Sequence, residues 1–389
     1  MAGNRITGKY VIENELKFRQ GAILRAVDII DTQRSLYRLG IFEDVRIITG
    51  AEGDDGFADV SVMVRERSIF RWIGFGVGYG ILDKFHISAE WKHINFWGKK
   101  QEIGLKAVFT DKETQYEFNF KDPYVLKSKY FFQTGLYYKR SYKESENTSR
   151  VGGIGQIGRS FSNYLSGGVN YKREFLNVFE IREADDTNFL GNKKKMGVGL
   201  SLSYDSRDNF IFPSRGWLAT FNSEAMGAIF GGDITYQKTT AEAVKYTRIY
   251  SGNIIFAGRL KGGLIYNYLD SLPIPSFEKF YSGGAYSIRG YSEEGLLAKD
   301  AAGNSIRGNL LVLMNLEMRV KIYKNIYGTL FYDAGNVWAA GTEGFSLKST
   351  AGAGLRYLLP VVSVRVDIGF KLEEDPEPYK IHISIGEAF

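Results

Sequence analysis

The 389-residue sequence contains no cysteine and only three histidines, His86, His93 and His382. Without cysteine there can be no disulfide, no thiol catalysis and no thiolate metal site, and the wide spacing of the histidines indicates no metal site either. The net charge of +6 is spread along the chain without a basic block. The sequence therefore indicates no nucleic-acid partner, and we expect no metal and no cofactor.

Long apolar runs and proline are also scarce. No run approaches the roughly 18 apolar residues of a membrane-spanning helix, and the chain has only 7 prolines. Glycine (45), tyrosine (25) and phenylalanine (27) are abundant instead, which favours long strands with aromatic side chains at membrane interfaces. The mean hydropathy of −0.21 is compatible with a membrane barrel, because half of each of its strands is polar.

A signal peptide is missing too, because Met1–Asn4 leads directly into structured sequence. A protein exported from the cytoplasm needs such a segment. We therefore expect the chain to derive from a longer precursor.

What the sequence does contain is a regular alternation of apolar and small or polar residues, with a period of two. From Val198 to Asp205, apolar residues alternate with glycine, serine or aspartate, and the same rhythm continues to Phe389. Successive side chains of a strand point to opposite faces of the sheet. This pattern predicts an all-β transmembrane barrel with an apolar exterior and a polar lumen. A soluble β-sandwich or β-helix is the alternative.

From residue 70 onward the rhythm predicts about sixteen antiparallel strands, an even number as in bacterial barrels. The predicted segments are 70–79, 84–96, 100–110, 113–121, 129–142, 147–161, 164–176, 193–206, 215–227, 233–248, 252–268, 308–323, 326–338, 345–358, 362–373 and 378–389. The segment 176–193 is expected to be an outward-facing loop. The segment 269–307 is the longest loop, and an ordered loop of that length is usually functional.

Residues 1–66 differ from the remainder, 67–389. Apolar residues at helical spacing between Ala26 and Tyr37, with Gly40 at the C-cap position, predict a helix. A shorter helix before it and two strands after it complete a small α+β domain. A third strand is expected before residue 3.

The most informative motif is Ser287-Ile288-Arg289-Gly290-Tyr291, inside the long loop. Further segments of the same character are Phe280–Ala285, Asn315–Arg319, Phe331–Trp338, Asp205–Asp208 and His382–Phe389. In this order they resemble the outer-membrane β-barrel assembly superfamily of the BamA and TamA type. The N-terminal region, with Gln33–Tyr37 and Gly40–Phe42, resembles the membrane-proximal POTRA (polypeptide-transport-associated) domain of that superfamily.

Strand parity and this resemblance together predict a lumen latch, consisting of Arg289, Gly290, Tyr291, Glu317 and Asp333. Parity places Glu317 and Asp333 on the inner face, where an arginine from a folded-in loop can meet both carboxylates. The resemblance implies that the loop arginine acts in this way. In the alternative interpretation, Arg289 is a solvated loop cation and the two acids are ordinary lumen groups.

The first and last barrel strands are predicted to form a lateral seam, consisting of Gly74, Gly76, Gly78, Gly80, Ile383, Ile385 and Phe389. Glycine weakens a strand, and a seam that opens would expose backbone groups to which a client strand can add. The resemblance implies such a gate. Tight lumen packing is the alternative explanation of the glycines, and the C-terminal apolar residues, Phe389 included, are expected to face lipid.

The resemblance implies a non-enzymatic protein of the bacterial outer membrane, with its POTRA domain in the periplasm. Its partners would be unfolded outer-membrane protein clients and outer-membrane lipid, and accessory periplasmic or lipoprotein subunits remain open. The compact barrel favours the TamA-like branch. An alternative is an export pore of the two-partner secretion type. A passive porin has no use for a POTRA-like domain, and a barrel enzyme is disfavoured because His86 and His93 fall on one strand.

Overall fold

The structure is a computed structural model, which describes residues 1–53, 57–80, 84–142, 146–181, 188–249, 253–269, 273–300, 303–340, 344–360 and 362–389. The chain divides into two compact units. They comprise Met1–Tyr142 with Ser149–Asn163, and Lys143–Thr148 with Tyr164–Phe389.

The N-terminal region of the first unit has the predicted α+β composition. Its elements are α1 (Lys9–Glu13), α2 (Ala26–Arg38), β1 (Phe42–Glu52) and β2 (Ala58–Glu66). Leu36 of α2 is fully buried in a cluster with Val11 and Val62, and Gly40 follows the helix with φ +70°, the left-handed conformation that ends many helices. The predicted C-terminal cap of this helix is therefore confirmed.

The edge of β2 opposite β1 holds a short piece of the expected third strand. Ala2 forms a parallel bridge with Met63, in which the Ala2 amide donates to the Val62 carbonyl at 3.0 Å. Gly3 adopts φ +93°, and a Cβ there would lie 1.8 Å from the Val64 carbonyl oxygen. Only glycine allows this close approach.

Within the first unit, this region packs on the ends of two strands of the large sheet. The Asn95 side-chain amide donates to the Thr7 hydroxyl at 3.0 Å, and the Tyr124 hydroxyl donates to Glu15 at 2.7 Å. Residues 1–66 and the first strands of the sheet therefore form one compact unit. The boundary at residue 66 stays a prediction.

The remaining long strands form one sheet of sixteen. They are β3 (Arg71–Gly80), β4 (Lys84–Phe96), β5 (Gln101–Thr110), β6 (Glu113–Val125), β7 (Tyr130–Tyr142), β8 (Glu146–Ser160), β9 (Leu165–Ile181), β10 (Gly191–Asp205), β11 (Gly216–Met226), β12 (Tyr236–Ile249), β13 (Ile254–Tyr266), β16 (Leu310–Tyr323), β17 (Ile326–Trp338), β18 (Lys348–Leu358), β19 (Ser363–Lys371) and β20 (Tyr379–Ile385). The two short strands β14 (Ala298–Lys299) and β15 (Ser305–Ile306) form a hairpin within the long loop.

Strands are neighbours in sequence order, from β3 at one end of the order to β20 at the other. The prediction of about sixteen antiparallel strands is confirmed. Neither helix in the described residues combines the length and the apolar character needed to cross a bilayer.

Burial alternates with sequence along these strands, as parity predicts. In β16, Leu316 is 48% exposed whereas Glu317 is 2% exposed. In β17, Leu330 is 56% exposed whereas Asp333 is fully buried. The exposed face is therefore apolar and the buried face carries the charges, the arrangement expected of a strand between lipid and a polar interior.

Two expectations from the sequence are wrong: the extent of the loop 176–193 and the face to which Phe389 points. The segment 176–193 is not all loop, because β9 and β10 extend into it and bury Leu176 and Val178 beside Phe189; residues 182–187 lie outside the described residues. Phe389 does not continue the exposed apolar face, because β20 ends at Ile385 and Gly386 turns the chain with φ +89°. Phe389 instead packs against a buried cluster on β12 and β13.

Candidate functional site

The long loop, called here the lumen loop (269–307), connects β13 to β16 and is described at 273–300 and 303–307. Ile288 and Leu296 of this loop are buried in one cluster with Leu311 and Val337 of the adjoining strands. Since these strand residues lie on the buried face of the sheet, the loop is folded onto the inner face. Residues 270–272 and 301–302 of the predicted loop lie outside the described residues.

Arg289 lies at the centre of the contacts that this loop makes. Its Nε and Nη2 donate to the two carboxylate oxygens of Asp333, each at 2.8 Å, and its Nη1 donates to Glu317 at 2.7 Å. The Arg289 backbone amide also donates to Asp333, at 3.0 Å. The guanidinium lies 3.5 Å from the centroid of the Phe331 ring. The structure thus brings together the three charged residues of the predicted lumen latch, and Arg289 is not a solvated cation, being only 1% exposed.

The ionic cluster is larger than the sequence suggested. Glu317 also pairs with Arg319 at 2.6 Å and with Arg356 at 3.1 Å. Asp367 then pairs with Arg356 at 2.6 Å. The cluster comprises four arginines and four acids: Arg289, Arg319, Arg356, Arg365, Glu317, Asp333, Asp367 and Glu387.

The formal charges of this cluster cancel, which is what makes its burial tolerable. A buried charge is costly unless partners of opposite sign and hydrogen bonds satisfy it. Arg356, Arg365 and Asp367 were missed by the sequence interpretation. Their inward parity on β18 and β19, between exposed apolar neighbours such as Val366, was the signal that could have found them.

Gly290 and Tyr291, the other two latch residues, contact β20 and the turn between β19 and β20. The Gly290 amide donates to His382 Nε2 at 3.3 Å, and the Tyr291 hydroxyl donates to Glu373 at 2.9 Å. The loop backbone also crosses Gly369 closely, since a Cβ there would lie 2.6 Å from the Arg289 carbonyl carbon. Lys371 Nζ of β19 lies 4.6 Å from the centroid of the Tyr291 ring. All five latch residues therefore contact strands, while their role in function stays a prediction.

The C-terminal tail, residues 386–389, adds contacts that parity did not predict. Glu387 accepts a hydrogen bond from Ser363 at 2.6 Å and pairs with Arg319 at 2.9 Å. The Tyr246 hydroxyl donates to the Phe389 carbonyl oxygen at 2.6 Å. Tyr286 of the lumen loop donates to the Ile385 carbonyl oxygen at 2.7 Å. The loop and the tail therefore both hold the end of β20.

Of the predicted lateral seam, the four glycines fall on the first strand of the sheet order and Ile383 and Ile385 on the last, whereas Phe389 lies in the tail beyond β20. A Cβ at Gly74 or Gly76 would lie 2.5 Å from an atom of the Trp72 ring or from the Ser88 hydroxyl, so tight packing accounts for these two glycines. Gly78 and Gly80 lie in β3, but their surroundings are outside the described residues. Ile383 and Ile385 are well exposed. A seam formed by these residues stays a prediction.

Among the described residues, no group of three or more histidines, aspartates and glutamates is arranged to hold a metal ion. The ionic cluster is instead satisfied by arginines, whose planar forks suit carboxylates. The arrangement is suited to holding a loop in place.

Comparison with known proteins agrees with this fold. A family model described as the Omp85 superfamily domain matches residues 95–389. "Outer membrane protein assembly factor BamA" of Nitratidesulfovibrio vulgaris is 26% identical over 406 residues, covering 100% of this chain and 50% of the relative. "Sorting and assembly machinery component 50 homolog" of Xenopus tropicalis is 26% identical over 297 residues, covering 70% of this chain and 60% of the relative.

Among solved structures, BamA from Haemophilus ducreyi lacking POTRA domains 1–3 superimposes with a TM-score of 0.76 at 17% identity, covering 98% of this chain and 82% of that one. At this identity the likeness shows the fold alone. The chain spans about half the length of the curated BamA relatives that it matches.

Proposed function

Since the chain belongs to the Omp85 superfamily, we propose that it assembles other β-barrel proteins in the bacterial outer membrane. Unfolded outer-membrane proteins are its clients, and residues 1–66 lie in the periplasm. The observation that carries the proposal is the similarity, along the whole chain, to a protein named as an outer membrane protein assembly factor. The seated Arg289 loop and the exposed apolar face of the sheet support it.

The proposed mechanism needs no nucleotide, metal or cofactor. A client strand in lipid must pair all its backbone groups, and an unpaired strand edge offers the partners it lacks. We propose that the client adds its first strand at the lateral seam, where β3 and β20 offer unpaired edges when the seam is open. Burial of the client's apolar surface in lipid then drives its insertion.

In this proposal the lumen latch keeps the interior of the barrel organised while the seam opens. Arg289 pairs with residues of β16 and β17, and the same loop hydrogen-bonds to β20 through Tyr286. The loop thereby connects the C-terminal seam strand to strands that need not move. Without the latch, Glu317 and Asp333 would be left buried with fewer cations, which is unfavourable.

The sequence interpretation favoured the TamA-like branch of the superfamily. The relatives described above bear the names BamA and sorting and assembly machinery component, so we propose assembly activity without assigning that branch. A protein export pore of the two-partner secretion type is the alternative, because the fold alone is compatible with it. Accessory subunits are not part of the proposal.

Reconstitution in liposomes distinguishes assembly from export. The purified protein is mixed with an unrelated, urea-unfolded barrel client, and the client's folding is followed by its heat-dependent shift in gel mobility. We expect the client to fold several times faster than in empty liposomes. A steady ion conductance without any effect on client folding would contradict the proposal and favour the pore.

The Arg289→Ala variant tests the latch in the same assay. We expect at least about a tenfold loss of client folding rate, because removal of one partner from a buried ionic network leaves uncompensated charge. Arg289→Glu should abolish activity, and its combination with Asp333→Arg should restore part of it. Arg215→Ala, at an exposed arginine, is the matched control and should be neutral. Unchanged client folding with Arg289→Ala would show that the latch role is wrong.

A further inference from the structure

The lumen loop makes a second buried ionic contact, on strands other than those that hold Arg289. Glu278 belongs to a short turn of the loop, Ser276–Glu278, and is 5% exposed. Its carboxylate accepts a hydrogen bond from Lys195 Nζ at 2.8 Å and from the Tyr236 hydroxyl at 3.0 Å. Lys238 Nζ donates to the Glu278 carbonyl oxygen at 2.7 Å. Both lysines and the tyrosine lie on the inner face of β10 and β12.

Charge accounting shows what Glu278 contributes. Among the described residues, the charged strand residues around it are three lysines and two glutamates: Lys172, Lys195, Lys238, Glu174 and Glu224. With three positive and two negative charges, these strand residues have a formal net charge of +1 when Glu278 is not counted. Glu278 supplies the missing negative charge, in a position where an uncompensated lysine would be costly.

The residues that surround Arg289 have a formal net charge of the opposite sign when Arg289 is not counted. These strand and tail residues comprise three arginines and four acids: Arg319, Arg356, Arg365, Glu317, Asp333, Asp367 and Glu387. Their formal sum is −1, which Arg289 cancels. The lumen loop therefore supplies an anion, Glu278, to a cluster of net positive charge, and a cation, Arg289, to a cluster of net negative charge. Each of these two residues brings the formal charge of its cluster to zero.

We infer that Glu278 is a second positioning residue of the lumen loop, a pin of opposite charge to Arg289. Among the contacts of the loop, Glu278 holds it on β10 and β12 and Arg289 holds it on β16 and β17, and the segment between these two pins is held with them. A loop that shifted would bring Glu278 away from its lysines or Arg289 away from its acids. Correct seating therefore requires both pins, and the pair specifies one orientation of the loop.

Thiol labelling measures seating directly, because the chain has no cysteine. Ser282 lies between the pins and is 2% exposed, and among the described residues its hydroxyl has no hydrogen-bond partner. Ser282→Cys therefore places a single probe that is shielded while the loop is seated. The folded protein in detergent micelles is labelled with a maleimide, and folding is verified by heat-dependent gel mobility. No client is present, so the result is independent of the proposed assembly function.

We expect Glu278→Gln in the Ser282→Cys protein to increase the labelling rate at least about tenfold, because it removes a hydrogen-bonded charge from a buried site. Arg289→Gln should give a similar increase. Glu377→Gln, at an exposed acid outside the loop, should label at the parent rate. The exchange of Glu278→Lys with Lys195→Glu should label more slowly than either single change.

The inference is overturned if Glu278→Gln labels at the parent rate while Arg289→Gln labels faster, since Glu278 would then not contribute to the seating of the loop. Should Glu278→Gln not fold, Tyr236→Phe removes one hydrogen bond to Glu278 and leaves its charge in place. We expect it to give a smaller increase than Arg289→Gln. Parent-rate labelling of Tyr236→Phe in that case would also count against the second pin.

Discussion

Gly369 on β19 shows how a missing side chain positions the loop. The Arg289 main chain passes where a Cβ of residue 369 would be, with the nearest backbone atom at 2.6 Å. The sequence predicts that Arg289, Glu317 and Asp333 meet, because the parity of charged residues on adjacent strands can be read directly. It does not predict that Gly369 is the crossing point, because which strand a folded-in loop crosses depends on tertiary packing.

Gly369→Ala should displace the loop without changing any charge. The added methyl group meets backbone atoms, which cannot rotate away, so overpacking of about 1–3 kcal/mol is expected. We expect faster labelling at Ser282→Cys and slower client folding. Gly262→Ala on β13 is the control, since a Cβ there meets nothing within 4 Å. Equal behaviour of the two variants would show that the close passage is unimportant.

At the scale of elements, the strands could be predicted and their ends could not. The alternation is long enough to mark each strand, yet the continuation of β9 and β10 depends on the burial of Leu176 and Val178 against Phe189. The chain reverses at Gly386, so Phe389 does not lie on the apolar face. In an uninterrupted strand, Phe389 would point to the same face as Ile385. A two-residue rhythm carries no information on where pairing stops.

The segment before α1 is held to the end of β2 by one carboxylate. Glu66 accepts hydrogen bonds from the amides of Arg5, Ile6 and Thr7, the last at 2.6 Å. Partial burial acts to raise the pKa of Glu66. The hydrogen bonds from Thr7, Ile6 and Arg5 outweigh burial and hold this pKa below its usual range. Glu66 therefore stabilises the segment above the unfolded-state pKa, and this contribution is lost as the pH falls through the lower folded-state pKa.

Amide hydrogen exchange at Ile6 and Thr7 measures this contribution. At neutral pH we expect Glu66→Gln to exchange several times faster than the parent protein, because the charged acceptor is lost. After correction for intrinsic rates, the difference should shrink as acid protonates Glu66 in the parent. A difference that persists unchanged well below the carboxylate range would contradict the assigned role.

At the scale of the whole molecule, the two faces of the sixteen-stranded sheet have different chemistry. The exposed face is apolar, as Leu260, Leu316 and Leu330 illustrate, and the buried face carries the ionic clusters. This separation could be predicted, because apolar and polar residues alternate along each strand and therefore point to opposite faces. The cancellation of charge within each cluster was not, because it depends on residues of separate strands and of the loop.

A charge on the exposed face should impair insertion into lipid. We expect Leu330→Arg to destabilise the folded protein in liposomes by about 2–4 kcal/mol, the usual cost of arginine near the bilayer midplane. Leu330→Ala is the control and should cost less. The measurement is the folded fraction as a function of urea. Equal stability of the two variants would show that this face does not contact lipid.

The buried ionic cluster also constrains how this chain enters its own membrane. β17 contributes Asp333 to the cluster and β18 contributes Arg356, and each is fully buried. Crossing hydrocarbon alone, either strand would carry an unneutralised charge, at a cost of about 2.5–3.5 kcal/mol at the bilayer centre. Insertion of these strands one at a time is therefore disfavoured for this part of the chain. The four strands β16–β19 would enter as a preassembled sheet, with their charges already matched.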